Sequence, residues 1–453
     1  MTIQMVAYER EIRQIISSGE KGANFRWECT IHANGKDVEP LYVIELEREG
    51  IYNQDRHSDV RSINIAISAG TLQFDVLPFK DKLEITVRKI PLMEGNQPTQ
   101  DKNANIQAFR YIALPFKEGS AALEANNMLA TDKQLSDRTQ VVEARFQLID
   151  PVIQHFRMQT FGGRFRQVRG VDVVRYGLGK LSKASSLGKD NGINGVTVVG
   201  EPNPEIREHV IVPDMTPAVK FPDLVNQICG GVFPSGFQFY LKDRQWFLFS
   251  PYDTKGFSKS KRTLTLMNVS AGKYPSPERS WRKTDTQLFV LATGETKHVD
   301  VSEKRQQNLG NGVSFIDATR VMDGFVTTGG NKAIIEKEQN VNQFVLAEKP
   351  TGLNFVRESE TRITANYLVE YGKLAGRNGA MLYTVWENSD DSLIYPGMPV
   401  KFMYVQNNTV EEVYGALVGA HSFWLPTNQN PKNGRHAAKT VLSVFLERNI
   451  KLN

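Results

Sequence analysis

The sequence predicts a mainly β protein with α+β parts, in which two antiparallel β-barrel or β-sandwich domains are joined by smaller α+β domains. Three observations lead to this fold class: a length of 453 residues, period-two alternation near both ends, and helical spacing between them. Single hydrophobic cores stop growing at roughly 250–300 residues, so several domains are expected. With 40% hydrophobic and 23% charged residues, the composition is that of an ordinary globular protein.

Alternating apolar residues predict strands at both ends of the chain. Residues 82–87 place Leu83, Ile85 and Val87 on one face, and residues 400–404 follow the same pattern. A proline-led turn precedes the alternation each time. Further strands are predicted over residues 106–114, 415–423 and 440–447. This pairing predicts one barrel or sandwich at each end; the alternative is a coincidence between short segments.

The middle of the chain changes to helical spacing. A strand over residues 141–149 is followed by Asp150 as a helix cap and Pro151 at the first helical position, and Gly162-Gly163 should end that helix. A second short helix is predicted over residues 172–181.

A helix from Pro222 to Gly230 is predicted to lead into an aromatic hairpin over residues 237–249. Residues 254–283 are rich in Lys, Ser, Pro and Gly, a composition that predicts solvent-exposed or partner-covered loops. Ser359 or Thr361 should begin an amphipathic helix that ends at Gly376.

These elements predict four domains. They are a first barrel domain (1–116), an α+β linking domain (117–205), a helix-and-hairpin domain with basic loops (206–285), and a second barrel domain that includes the amphipathic helix (286–453).

Positive charge is concentrated in the middle of the chain. Residues 151–185 carry a net +6 and residues 242–283 a net +7, which leaves −8 for the rest because the whole chain carries +5. Arg164, Arg166 and Arg169 lie among aromatic residues, a composition that suits carboxylates across a protein interface. We predict that these three arginines form an interface. Stacking on nucleic-acid bases is the alternative.

Motifs for chemistry are not apparent. No Gly-x-Ser-x-Gly turn occurs, and residues 177–182 lack both the first glycine and the Mg²⁺-binding hydroxyl of a phosphate loop. No two of the seven histidines share the i, i+4 spacing of a zinc site, and Cys29 and Cys229 are expected to be buried free thiols. We therefore expect no catalytic residue, no cofactor and no metal. Asp390 and Asp391 lie in a turn composition, although a glycosidase can draw two carboxylates from anywhere in its fold.

The chain offers no segment for a membrane. The longest apolar run, residues 414–425, is interrupted by His421 and is shorter than the roughly 20 residues of a membrane span. The first residues lack the apolar region of a signal peptide, so we expect assembly in the host cytoplasm.

Three segments carry a resemblance to a known family. They are the strand-to-helix passage at residues 145–151, the helix and hairpin at 224–249, and the closing strands from Pro396 to Leu446. In this order they resemble the baseplate hub proteins of tailed phages, typified by the T-even hub, and the first part of type VI secretion spike proteins. Residues 254–345 are longer and more basic than a minimal hub requires.

The resemblance implies two tail-tube-like barrels per chain and a homotrimer whose six barrels imitate a six-fold tail-tube ring. It implies a non-catalytic symmetry adapter in the virion baseplate, as found in contractile injection systems. The implied partners are the central spike protein, the tail tube or a tube-initiator protein, other baseplate proteins and the tape measure protein. No membrane is implied, and no nucleic acid except DNA passing through the lumen.

Three other functions stay open at this point. The chain could be another tail component such as a tube initiator or wedge protein, a carbohydrate-active β-sandwich enzyme of the tail, or a nucleic-acid binder that uses the basic middle. Mass in solution, activity on peptidoglycan and salt-sensitive DNA binding distinguish these functions from the hub.

Overall fold

The computed structural model of the chain describes most of its length. The described residues are 3–17, 25–54, 56–92, 107–116, 140–183, 192–269, 280–292, 296–300, 313–317, 325–328, 331–334, 342–346, 379–427 and 435–447. Strands dominate these ranges, which confirms the predicted mainly β fold class with α+β parts.

The helices and strands are numbered here in chain order. The helices of seven residues or more in the described part are α1 (Ile3–Ser17), α2 (Pro151–Arg157), α3 (Gly170–Leu181) and α4 (Phe221–Cys229). The strands are β1 (Phe25–Ala33), β2 (Lys36–Val38), β3 (Tyr42–Ile51), β4 (Val60–Ser68), β5 (Glu84–Pro91), β6 (Gln107–Pro115), β7 (Val141–Ile149), β8 (Thr160–Val168), β9 (Gly195–Val198), β10 (Arg207–Pro217), β11 (Gln238–Lys242), β12 (Gln245–Phe249), β13 (Thr263–Asn268), β14 (Trp281–Lys283), β15 (Gln287–Ala292), β16 (Thr296–Asp300), β17 (Val313–Asp317), β18 (Phe325–Thr328), β19 (Asn331–Ile334), β20 (Asn342–Leu346), β21 (Ala380–Glu387), β22 (Pro399–Gln406), β23 (Thr409–Pro426) and β24 (His436–Leu446).

Six strands near the N-terminus form a first barrel. They follow the order β3-β4-β7-β6-β5-β1, every neighbouring pair is antiparallel, and the sheet curls so that β1 returns beside β3. Alternate side chains point inward, and Ile31, Ile63, Ile85 and Phe146 are fully buried in one core. The predicted alternation of β5 is thus the inward face of this barrel.

A second barrel uses strands from the C-terminal half of the chain. Its order is β21-β24-β23-β22-β13-β15, with β16 and β14 at the flanks. Leu266, Val290, Leu382 and Trp386 meet in its core. Strand β13 pairs in parallel with both β15 and β22, whereas the other neighbours within the barrel are antiparallel.

Strand β23 belongs to both barrels. Its residues 409–416 pair with β22, its residues 419–424 pair with β3, and its residues 415–426 pair with β24. Leu417 is accordingly buried in the second core and Trp424 in the first. The relative position of the two barrels is therefore fixed by continuous main chain.

One prediction for the middle of the chain is wrong. Residues 254–283 were expected to form solvent-exposed or partner-covered loops, yet β13 is a strand of the second barrel and Thr263 to Met267 are all buried in it. In a parallel strand that is covered on both faces, nearly every side chain is buried. In β13 the buried side chains alternate between Thr and Leu, and the segments on either side of the strand are rich in Lys and Ser. Those flanks dominate the local composition, which explains the error.

Two other boundaries differ from expectation. Helix α2 ends at Arg157 instead of at Gly162-Gly163, which lie within β8. Strand β7, expected in the linking region 117–205, lies between β4 and β6 in the first barrel. The amphipathic helix predicted from Ser359 or Thr361 to Gly376 falls outside the described residues.

Helix α1 packs on the outside of the second barrel. Tyr8, Ile12 and Ile15 form its buried face and contact a small apolar patch that includes Met267 and Leu291. The Tyr8 hydroxyl donates to the Asn268 carbonyl at 2.6 Å. The N-terminal helix thus covers a barrel built from residues more than 250 positions later in the chain.

The middle of the chain forms a third body between residues 149 and 250. Helices α2, α3 and α4 pack with the two-stranded sheet β8-β10 and the three-stranded sheet β11-β12-β9 around a third core. Asp150 caps α2 by accepting the Val152 N–H at 2.8 Å, and Gly230 ends α4 at a left-handed φ of 76°. These caps, the helices and the aromatic hairpin β11-β12 confirm the predictions for this region.

The histidine His436 joins two strands of the first barrel. Its buried ring accepts the main-chain N–H of Trp27 in β1 through Nδ1 at 3.2 Å. The other ring nitrogen, Nε2, lies 3.3 Å from the main-chain carbonyl of Val43 in β3. Burial lowers the pKa of this imidazole to about 4. The neutral ring therefore bridges β1 and β3, where no ladder joins them directly.

We expect this histidine to make stability depend on pH. Its folded pKa lies below the ordinary value of 6.5, so the unfolded chain takes up the proton first as the pH falls. The neutral imidazole makes its full contribution to the free energy of unfolding above about pH 6.5. As the pH falls from about 6.5 to about 4, about 3 kcal/mol of this free energy is lost. Urea unfolding at pH 7, 5.5 and 4.5 should show a smaller loss for His436→Gln than for wild type. The exposed-site variant His209→Gln should retain the wild-type profile, and equal profiles for all three proteins would contradict the assignment.

Candidate functional site

The predicted interface arginines lie on a two-stranded ribbon formed by β8 and β10. One face of this ribbon packs on the third core, where Phe165 lies opposite Val210 and Gly163 lies opposite Val212. Because side chains alternate along a strand, the residues between them face outward. We call β8 and β10 together the arginine ribbon.

Two arginines lie on the outer face of this ribbon. Arg164 is opposite Ile211, and Arg166 is opposite His209. Both arginines are exposed, and neither forms an ion pair with the described residues. Ile211, opposite Arg164, is 55% exposed, an unusual fraction for a large apolar side chain on a sheet.

The structure places the third arginine elsewhere. Arg169 follows the end of β8 and is the N-cap residue of α3. Its guanidinium contacts Asp172 at 2.8 Å, and that bond raises the pKa of Arg169. Arg164 and Arg166 therefore share a surface, whereas Arg169 is already paired within its own helix.

A bulge interrupts β10 near one end of the ribbon. The register shifts between Val212 and Thr216, and Met215 there has a left-handed φ of 65° and is 76% exposed. Asp214 folds over Gly162, where a Cβ atom would lie 2.5 Å from the carboxylate. The Gly162 of the predicted helix stop is thus needed for this close approach.

A second cluster, which sequence reasoning missed, joins the three bodies. Arg48 of β3 is 8% exposed and contacts three carboxylates. Its Nε lies 2.5 Å from Asp59, and its terminal nitrogens lie 2.9 Å from Asp391 and 3.1 Å from Asp243. Asp59 precedes β4 in the first barrel, Asp243 is in the β11-β12 turn, and Asp391 precedes β22. We call this cluster the ionic junction.

Neighbouring groups complete the hydrogen bonding of the ionic junction. Arg61 contacts Asp59 at 3.1 Å and Asp243 at 3.2 Å, and it also donates to the Tyr111 hydroxyl. The Tyr240 hydroxyl donates to Asp59 at 2.9 Å. Among the described residues Asp59 thus has three donors and Asp243 has two, whereas the carboxylate of Asp391 has Arg48 as its donor. Buried charges need such partners.

The hairpin turn holds two residues in the junction. Lys242 is fully buried and donates to the carbonyls of Asp391, at 2.6 Å, and Ile394. The next two residues, Asp243 and Arg244, have φ values of 49° and 61°, the left-handed pair that a two-residue hairpin loop requires. This turn directs Asp243 toward Arg48.

Burial and charge act in opposite directions at the junction. Burial lowers the pKa of Arg48, but Asp243, Asp59 and Asp391 outweigh it and raise that pKa well above the ordinary value. Burial raises the pKa of Asp243, yet Arg48 and Lys242 bring it well below the usual range. Burial, followed by Arg48, lowers the pKa of Lys242. The aspartate and the arginine thus stay charged as a pair at neutral pH.

Similarity to known proteins is found at the level of structure. No protein-family model matches the chain, and no curated protein does so. The chain is similar to the tail protein from Neisseria meningitidis MC58, with 11% identity, 93% of this chain and 96% of that chain covered, and a TM-score of 0.42. It is also similar to the 43 kDa tail protein of prophage MuSo2 from Shewanella oneidensis. The identity is 10%, the match covers 92% of this chain and 98% of that chain, and the TM-score is 0.42.

A third similar structure is the E. coli c3393 protein, a type VI secretion component that exhibits structural similarity to T4 bacteriophage tail proteins gp27 and gp5. Identity is 10%, the match covers 93% of this chain and 79% of that chain, and the TM-score is 0.38. These three structures are thus two tail proteins and one type VI secretion component.

The segments considered for chemistry have structural roles. Residues 177–182, with the glycine and lysine of a phosphate loop, lie mostly within α3, where the missing Cβ of Gly177 admits the Phe221 ring. Asp390 accepts the Ser392 N–H in a turn, as predicted. Cys29 and Cys229 are free and buried, and burial raises their pKa values to about 12 and about 11.

Neither a metal site nor a membrane helix is found in the described part of the chain. No three His, Cys, Asp or Glu side chains there are arranged to hold a metal ion. No helix among the described residues is both long and apolar enough to span a bilayer.

A signal for the ionic junction was present in the sequence. Leu46, Arg48 and Gly50 share the inward side of β3, so a charged residue stood at a position where the alternation requires a buried one. Its partners come from segments 11, 195 and 343 residues away. Spacing within the sequence could not reveal them.

Proposed function

We propose that this chain is a structural, non-catalytic protein of a phage tail, and that three copies form the hub between the tail tube and the central spike. The observation that carries the proposal is the presence of two six-stranded barrels in one chain, joined through the shared strands β23 and β24. Three such chains place six barrels around one axis.

A ring of this kind solves a symmetry mismatch. A trimeric spike and a hexameric tube have no symmetry in common beyond three-fold, so they cannot bind each other through equivalent contacts. A ring with true three-fold and pseudo-six-fold symmetry offers matching contacts to both. Its six barrels face the tube or tube initiator, and its three-fold face meets the spike.

The adapter must hold its two barrels at a fixed angle, because pseudo-six-fold symmetry depends on it. Strand β23 supplies a continuous main-chain link, and the ionic junction adds a buried contact among both barrels and the third body. Function then lies in shape and interfaces rather than in an active site. Other baseplate proteins and the tape measure protein are the further partners of such a ring.

The mass of the protein in solution, together with two activity assays, tests this proposal. Sedimentation of the purified chain should give about three times the 51.0 kDa mass of one copy. Peptidoglycan should not be cleared, and DNA mobility should not shift in a salt-sensitive way. A monomer that clears peptidoglycan would establish the carbohydrate-active alternative instead. Salt-dependent DNA binding by a monomer would favour the nucleic-acid alternative.

A further inference from the structure

The outer face of the arginine ribbon has the features of an unoccupied docking surface. Arg164 and Arg166 have no ion-pair partner in the described part of the chain, and Ile211 and Met215 expose 55% and 76% of their surface. Exposed arginines interleaved with large apolar groups are characteristic of protein interfaces. The ribbon also exposes Glu208 and Asp214, carboxylates that would repel a phosphate polymer.

A surface of opposite charge lies on the first barrel. The outward sides of β3 and β7 carry Glu45, Glu47, Glu49 and Glu143, and we call this surface the acidic face. Two of these carboxylates are neutralised within the chain. Glu47 contacts Arg145 at 2.9 Å and His421 at 2.8 Å, and Glu49 contacts Arg56 at 2.9 Å.

The other two carboxylates of the acidic face have no cationic partner among the described residues. The Glu45 carboxylate makes neither a hydrogen bond nor an ion pair there, and the Glu143 carboxylate accepts only the Asn64 side-chain amide at 3.3 Å. Apolar groups lie on the same outward side, where Leu425 is 50% exposed and Val141 is 51% exposed. The acidic face thus offers two carboxylates and two apolar side chains, the counterparts of the arginine ribbon.

We propose that the arginine ribbon of one copy docks on the acidic face of the next copy around the ring, with Arg164 and Arg166 paired to Glu45 and Glu143. This inference rests on the proposed homotrimer and specifies its contact. The two surfaces differ, so the contact is heterologous, and three repeats of it close a ring when each contact turns the next copy by one third of a turn about a common axis. The charge pairs are strengthened because apolar side chains around them exclude water, namely those of Ile211, Met215, Leu425 and Val141.

Charge reversal with rescue tests this contact. Two double variants, Arg164→Glu with Arg166→Glu and Glu45→Arg with Glu143→Arg, should each raise the dissociation constant of the trimer about 30-fold or more in sedimentation experiments. Combining all four substitutions in one chain should return the constant to within about tenfold of wild type. Lys80→Glu with Lys82→Glu, an equal charge change on an exposed turn, is the matched control and should leave assembly unchanged. Circular dichroism verifies that each monomer is folded.

Mixing the two double variants gives an independent readout. When two neighbours carry different double variants, the ribbon of one and the acidic-face position of the other have opposite charges, whichever copy comes first. A ring of three copies, however, must contain two neighbours with the same double variant, and their contacting surfaces repel each other. The mixture should therefore fail to form trimers, whereas the fourfold variant forms them.

The outcomes separate this inference from the proposed function. A monomeric wild type overturns both. A trimeric wild type that tolerates reversal at Arg164 and Arg166, or that tolerates reversal at Glu45 and Glu143, overturns the docking contact and leaves the hub proposal standing. Failure of the fourfold variant to recover also overturns the specific pairing.

Discussion

Replacing Arg48 with methionine is expected to lower the free energy of unfolding by about 3–5 kcal/mol, because one arginine faces three carboxylates in a buried site. Asp59 and Asp243 keep Arg61 as a partner, but the 2.9 Å contact from Arg48 to Asp391 has no replacement among the ion pairs of the described residues. Removing one partner of a buried pair costs more than the pair itself contributes, since the remaining charge stays desolvated.

The matched control for this variant is Arg56→Met. Arg56 contacts Glu49 at 2.9 Å but its side chain is 49% exposed, so its loss should cost only about 0–1 kcal/mol. Urea unfolding followed by tryptophan fluorescence and circular dichroism provides the comparison. Because the chain has several cores, the Arg48→Met protein should also lose coincidence between the two probes. Equal unfolding curves for both variants would show that the ionic junction does not hold the bodies together.

Replacing Gly415 with alanine is expected to lower the free energy of unfolding by about 3 kcal/mol, the upper end of the usual cost of overpacking. Gly415 lies in β23 between Val400 of β22 and Leu446 of β24, and a Cβ atom there would lie 1.9 Å from the Phe445 carbonyl oxygen. The contact is with main chain, so no side-chain rotation relieves it. The backbone must shift at the strand that both barrels share.

Gly179→Ala serves as the control for this substitution. Gly179 lies in α3, and a Cβ atom there would meet only a Val196 methyl group at 3.9 Å. Alanine is favoured over glycine in a helix by up to about 1 kcal/mol, so this variant should be as stable as wild type or slightly more so. If the Gly415→Ala protein has the same free energy of unfolding as wild type, β23 and β24 can move apart at this position without loss of stability, which would contradict this prediction.

Local signals in the sequence were sufficient for several elements. Strand β7 and the cap at Asp150 were predictable because alternation and capping depend on residues within a few positions. The β11-β12 hairpin was predictable for the same reason. The two barrels were predicted from the alternation of apolar and polar residues in β5 and β22, because such alternation is typical of a strand with one buried and one exposed face.

Other features depend on contacts between distant segments. Strand β13 is a barrel strand only because β15 and β22 flank it, and composition alone favoured a loop. Strand β23 serves both barrels because its two halves meet different partners. The arginines 164, 166 and 169 were predicted as one site, but only the register of β8 with β10 separates Arg164 and Arg166 from the capping Arg169.

Electron cryo-microscopy of the purified assembly, viewed along its axis, tests the central claim most directly. That claim is that three copies of this chain place six barrels in one ring. We expect a three-fold ring with six barrel densities around an open lumen, alternately the first and the second barrel of each chain. A ring with any other number of copies, or a trimer whose two barrels lie at different distances from the axis, would contradict the proposed role as a symmetry adapter.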